Sequence, residues 1–131
     1  MPWKIQPGDG ENIVKWLFLF LGLLANAGAS VLIKVGVSRN FLLELSLAGV
    51  MTFLKNWPLL FGIVLYGMAF LLYMVSLAKL PLTVVHPTMT AGSIALVGLA
   101  AFFLFHERFS VTTIFGFAFI LIGVFFTCIS K

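Results

Sequence analysis

Residues 56–78 read NWPLLFGIVLYGMAFLLYMVSLA, an apolar run without a charge, bounded by Lys55 and Lys79. About 20 helical residues cross the ~30 Å hydrocarbon core of a bilayer, and this run is long enough. Three further runs share its form. WLFLFLGLLANAGASVLI lies between Lys15 and Lys34, LPLTVVHPTMTAGSIALVGLAAFFLFH between Lys79 and Glu107, and FSVTTIFGFAFILIGVFFTCIS between Arg108 and Lys131. All are continuously apolar, without the alternation of a barrel strand, and a barrel needs at least about eight strands. The runs predict an all-α membrane protein with four transmembrane helices per protomer, at about 14–34, 57–78, 82–105 and 109–129.

Composition supports that reading. Of 131 residues, 62% are apolar and 9% charged, with a mean hydropathy of +1.17. A chain this short has too little interior to hide so much apolar surface from water. That excludes a soluble domain and a disordered chain. The single Cys128 excludes a disulfide scaffold and a multi-cysteine metal site. His86 and His106 are too few and too far apart for a zinc motif. The net charge of +4 is scattered between apolar runs, as membrane flanks are, and does not indicate a nucleic-acid partner.

The remaining segments are short. MPWKIQPGDGEN, residues 1–12, has two prolines, two glycines and no periodicity, and reads as a flexible tail before a single domain over 13–131. FLLELSLAGVMTFL, residues 41–54, is broken by Glu44 and too short to span; it reads as an interfacial helix or a lead-in to the second span. Trp16 and Trp57 fall where interfacial aromatics belong. Ala25-Asn26-Ala27 has the form of a signal-peptidase site, but the apolar run continues through Val31-Leu32-Ile33, so no cleavage is expected.

Loop charges bear on orientation. Lys4, Lys15, Lys79 and Lys131 lie on one side, and Lys34, Arg39, Lys55 and Arg108 on the other, four against four. The positive-inside rule needs an asymmetry, and there is none. Either orientation is set by some other feature, or both orientations insert and pair as an antiparallel, dual-topology homodimer. The second reading is favoured, because four short-looped helices are few for enclosing a solute path alone.

Polar side chains in hydrocarbon usually face an interior or a cavity. In the first span Asn26, Ser30 and Lys34 recur every four residues, on one face. They read as a stripe lining a cavity; Lys34 reads equally as a cation snorkelling into the headgroups. In the third span Thr83, His86, Thr90 and Ser93 share a face. Pro87 removes a donor to the Thr83 carbonyl and should kink the helix there. An imidazole can accept a proton or hold a phosphate oxygen, so His86 suits either task; its bland alternative is a bond to a neighbouring helix. Tyr66 and Tyr73 lie seven apart in the second span, as cavity walls or as packing. Gly116 and Gly123, also seven apart in the fourth, read as a seam between protomers. The four acids are Asp9, Glu11, Glu44 and Glu107, all outside the spans. No catalytic constellation is present, and neither enzyme activity, a cofactor nor a metal is expected.

These residues resemble the four-helix branch of the drug/metabolite transporter superfamily, which holds the small multidrug resistance exporters and the aminoarabinose–undecaprenyl-phosphate flippase subunits. The resemblance is carried by Ala27-Gly28 and Lys34, by Leu77-Ala78-x-x-Pro81 leading to His86-Pro87, and by Leu99-Ala100-Ala101. Phe105-His106-Glu107, Ser110 and Gly116-x-Ala118-Phe119-Ile120-x-x-Gly123 complete it. It implies a dimer in which the first three spans line a cavity and the fourth forms the seam. The multidrug exporters carry a glutamate eight residues before the lysine; here that position is Asn26. The flippase subunits also lack this acid and have a His-Glu pair before the last span, so the pattern is closer to theirs.

The expected function is therefore a multi-pass carrier of the cell membrane that moves an anionic lipid-linked substrate, such as a polyprenyl-phosphate sugar, between leaflets. Asn26, Ser30, His86, Thr90 and Ser93 would shelter its head group, with Lys34 attracting the phosphate. The alternatives are an exporter of the multidrug kind coupled through His86, and a non-transporting assembly subunit that binds a glycosyltransferase or a paralogous partner.

Overall fold

The computed structural model describes residues 9–38 and 46–129. It contains α1 (Asp9–Ser38), α2 (Leu47–Lys55), α3 (Trp57–Lys79), α4 (Leu82–Phe105) and α5 (Val111–Ile129). Four of these, α1, α3, α4 and α5, are long and apolar enough to cross a membrane. The chain is an all-helical protein of four transmembrane helices.

Local chemistry sets the breaks. Asn56 separates α2 from α3 and returns its N–H to the Phe53 carbonyl at 3.1 Å, and Pro58 follows in the first turn of α3. Proline suits that turn because its missing N–H has no partner to lose. Between α3 and α4, Leu80 and Pro81 are extended, with the Leu80 N–H on the Ser76 carbonyl at 2.8 Å. His106 ends α4 in the left-handed region at φ 50°, a conformation usually left to glycine. Ser110 caps α5, its hydroxyl accepting from the Thr113 N–H at 3.2 Å.

The helices differ from the spans read from hydropathy mainly at α1. That helix already includes Asp9–Asn12, the end of the stretch read as a tail, and continues past Lys34 to Ser38. Hydropathy locates the lipid-facing section, whereas a helix propagates beyond it by adding a backbone bond per residue. Of the segment read as interfacial, 46–54 falls in α2 and its Ser46 cap, and 41–45 lies outside the described residues.

Helix α1 packs chiefly on α3 and also on α4, while α5 rests on α4. Small residues bring α1 and α3 together: Gly36 lies against the Leu59 backbone, and Gly62 against Ile33 and Ala29. Without a hydrophobic drive between helices in lipid, such close approach supplies the packing energy. Asn56 Nδ2 donates to the Gly36 carbonyl at 2.7 Å, tying the end of α1 to the start of α3. Leu19, Leu23, Val85 and Met89 form the core. Phe61, Phe70, Phe103 and Phe125 point outward, where lipid covers them. No residue of α5 is buried.

Candidate functional site

The polar residues of α1, α3 and α4 meet between the helices, with Asn26–Ser93 partly buried and the contacts of Tyr66, His86 and Thr90 exposed. Asn26 Nδ2 donates to Ser93 Oγ at 2.7 Å, joining α1 to α4. Ser30 Oγ donates to the Asn26 carbonyl at 3.0 Å and lies 2.7 Å from Tyr66 Oη, which joins α1 to α3. Tyr73 Oη lies 3.2 Å from His86 Nδ1, joining α3 to α4, with the two rings edge to face. The tyrosine donates when Nδ1 is bare and accepts when Nδ1 carries the hydrogen. Thr90 donates back to the His86 carbonyl at 2.9 Å. Three helices are thus cross-linked by hydroxyl, amide and imidazole, groups that cost free energy in hydrocarbon unless paired.

Two cavities flank this network. The first, of about 260 Å³, is lined by Asn26, Tyr66, Ala69, Phe70, Tyr73, His86, Met89 and Thr90. No carboxylate is among those residues. The second, of about 390 Å³, is lined by Ser30, Ser93, Ile94, Val97, Gly98, Ala101, Glu107, Phe109 and Phe117. The Asn26–Ser93 bond runs from a residue of the first cavity to a residue of the second and forms part of the wall between them.

Lys34 sits at the edge of this arrangement. Its Nζ forms an ion pair with Glu107 Oε1 and lies 5.0 Å from the centroid of the Phe105 ring. Both side chains of the pair remain about half exposed, at 48% and 41%. An ion pair that open contributes about 0.2–1 kcal/mol, and an exposed cation–π contact about 0.5–1 kcal/mol. Glu107 is placed by the left-handed His106 before it and by its own N–H, which donates to the Ala101 carbonyl at 3.1 Å.

Of the residues selected from sequence, the structure brings Asn26, Tyr66, Tyr73, His86 and Thr90 to the first cavity and Ser30 and Ser93 to the second. Thr83 is exposed and lines neither, although it shares a helical face with His86. Helix α4 runs unbroken through Pro87. Gly116 and Gly123 face open space, with no atom within 4 Å of an added Cβ. Sequence reasoning did not pair Lys34 with Glu107 and did not enlist Ala69 or Phe70. The first omission had a signal: the first and third loops lie on the same side of the membrane, and each carries one of the two charges.

The site is thus an open, largely apolar cavity between membrane-spanning helices, with amide, phenol, imidazole and hydroxyl groups set into its walls. The family model for Small Multidrug Resistance protein matches residues 14–120, and the chain belongs to that family. It is a small membrane transporter, multi-pass in the plasma membrane. No curated protein and no solved structure matches it significantly.

Proposed function

We propose that this transporter moves an anionic, lipid-linked substrate, a polyprenyl-phosphate sugar or similar lipid, between leaflets. The observation that carries the reading is Asn26. At the position where the multidrug exporters hold their glutamate, this chain has a neutral amide engaged with Ser93. A cavity lined by amide, phenol, imidazole and hydroxyl groups suits a sugar head group, and Lys34 supplies a cation for its phosphate. The lipid tail stays in the bilayer while the polar head crosses inside the protein. Pro87, which cannot donate to Thr83, offers a point where α4 bends as the cavity opens to alternate sides.

The active form in this reading is an antiparallel homodimer. Members of the family typically work as homodimers, and the open face of α5 at Gly116 and Gly123 is suited to close helix contact. The protein is a carrier and not an enzyme in this account. Its resemblance to the flippase subunits, a substrate of the same class and the possibility of a paralogous partner are parts of the same proposal.

One observation favours a second reading, export of small molecules with His86 as the coupling group. His86 lines the first cavity and is hydrogen-bonded to Tyr73, so a proton on the ring would change the charge inside it. The two readings separate in vesicles containing the purified protein. The lipid reading predicts that a fluorescent polyprenyl-phosphate sugar exchanges leaflets at least about tenfold faster than in empty vesicles, and that His86→Ala and Thr90→Ala together slow it. Quaternary ammonium uptake with no lipid exchange contradicts it and favours the second reading.

A further inference from the structure

The second cavity has a composition that the first lacks. Its lining combines the carboxylate of Glu107 and the hydroxyls of Ser30 and Ser93 with the apolar Ile94, Val97 and Phe117. Lys34 is paired with Glu107. We infer that this cavity takes the phosphate and adjoining apolar chain of an anionic lipid, and that Glu107 is a built-in anion which the phosphate replaces on Lys34. The inference rests on the reading of an anionic lipid-linked substrate and adds where the phosphate and the chain bind.

Three features support the exchange. The pair is half exposed, so water and an incoming anion reach it from the membrane surface. Lys34 does not depend on Glu107 alone for its position, because the Phe105 ring lies under the ammonium and keeps it there after the carboxylate leaves. Glu107 follows the left-handed His106 in a short turn, so a small change in that turn moves the carboxylate away without unwinding α4. A lipid phosphate brings at least the same charge as the carboxylate, and its chain gains burial against the apolar wall, which Glu107 cannot offer. The Asn26–Ser93 bond stands in the wall between this cavity and the first, so a head group in one and a phosphate in the other lie on either side of it.

The test is a binding titration of the full chain in nanodiscs with undecaprenyl phosphate. Wild type, Glu107→Gln, Lys34→Gln and the double variant are compared, each with its melting temperature recorded. Glu107→Gln should bind about two- to fivefold tighter, the scale on which an exposed ion pair competes. Lys34→Gln should bind at least about tenfold weaker, and adding Glu107→Gln to it should change nothing further. Glu107→Asp, which keeps the competing charge, should stay near wild type and serves if the glutamine variant fails to fold. Val97→Trp should weaken undecaprenyl phosphate but leave dimethylallyl phosphate unchanged, which separates a lipid site from a free-phosphate site. Wild-type binding with Glu107→Gln no tighter overturns this inference alone. No binding by any variant overturns the lipid reading and this inference with it.

Discussion

Gly62→Leu is expected to leave no folded protein. A Cβ at Gly62 would stand 2.7 Å from Ile33 Cγ1, 3.1 Å from the Ile33 amide nitrogen and 3.2 Å from the Ala29 carbonyl oxygen. Two of those neighbours are backbone atoms of α1 and cannot rotate away. Gly36 presents the same problem from the other helix, 2.8 Å from the Leu59 amide nitrogen and 3.0 Å from its Cα. In lipid the α1–α3 pair is held by close contact, so pushing the helices apart removes the interaction and the Asn56–Gly36 tie together. Alanine at either glycine should cost about 1–3 kcal/mol, the usual range for overpacking. The leucine at Gly62 exceeds what the site can absorb. Gly116→Ala and Gly123→Ala, which meet nothing within the protomer, should not destabilise it and should instead weaken the proposed dimer. Tryptophan fluorescence during detergent denaturation measures the first effect, and crosslinking the second.

Asn26→Glu is expected to reverse the charge preference of the cavity. Ser93 now accepts from the amide; facing a carboxylate, its hydroxyl can turn and donate, so the α1–α4 link survives. Asn26→Ala removes that link outright and leaves Ser93, 8% exposed, without its partner, a loss of about 1–3 kcal/mol. A new negative charge about 12 Å along the helix from Lys34, where the phosphate is placed, at an effective dielectric of about 20, opposes binding by about 1.4 kcal/mol. Polyprenyl-phosphate affinity should therefore fall about tenfold while an added quaternary ammonium ion gains by a similar factor. Equal affinities in wild type and Asn26→Glu would show that ligands do not meet Asn26.

The spans were legible because lipid imposes one simple demand, about 20 apolar residues closed by charges. Lys55, Lys79 and Arg108 mark where α3, α4 and α5 begin or end to within a few residues. Periodicity likewise grouped Asn26 with Ser30 and His86 with Thr90 on shared helical faces. It gave no axial level, so the pairs Asn26–Ser93 and Tyr73–His86 had to await the packing of the helices. Thr83 shows the same limit: it shares a face with His86 one turn nearer the start of α4 and lines neither cavity. Lys15 shows another. As a charge it marked a membrane boundary, yet it lies on the packed side of α1 at 5% exposure, because a flanking lysine reports depth and not direction.

The measurement closest to the central claim is native mass spectrometry of the full chain extracted in a mild detergent. The lipid-transport account predicts a dimer carrying a co-purified polyprenyl phosphate or glycolipid, absent from Lys34→Ala. A dimer that is empty as isolated and takes up an added quaternary ammonium ion, in wild type and Lys34→Ala alike, would contradict it.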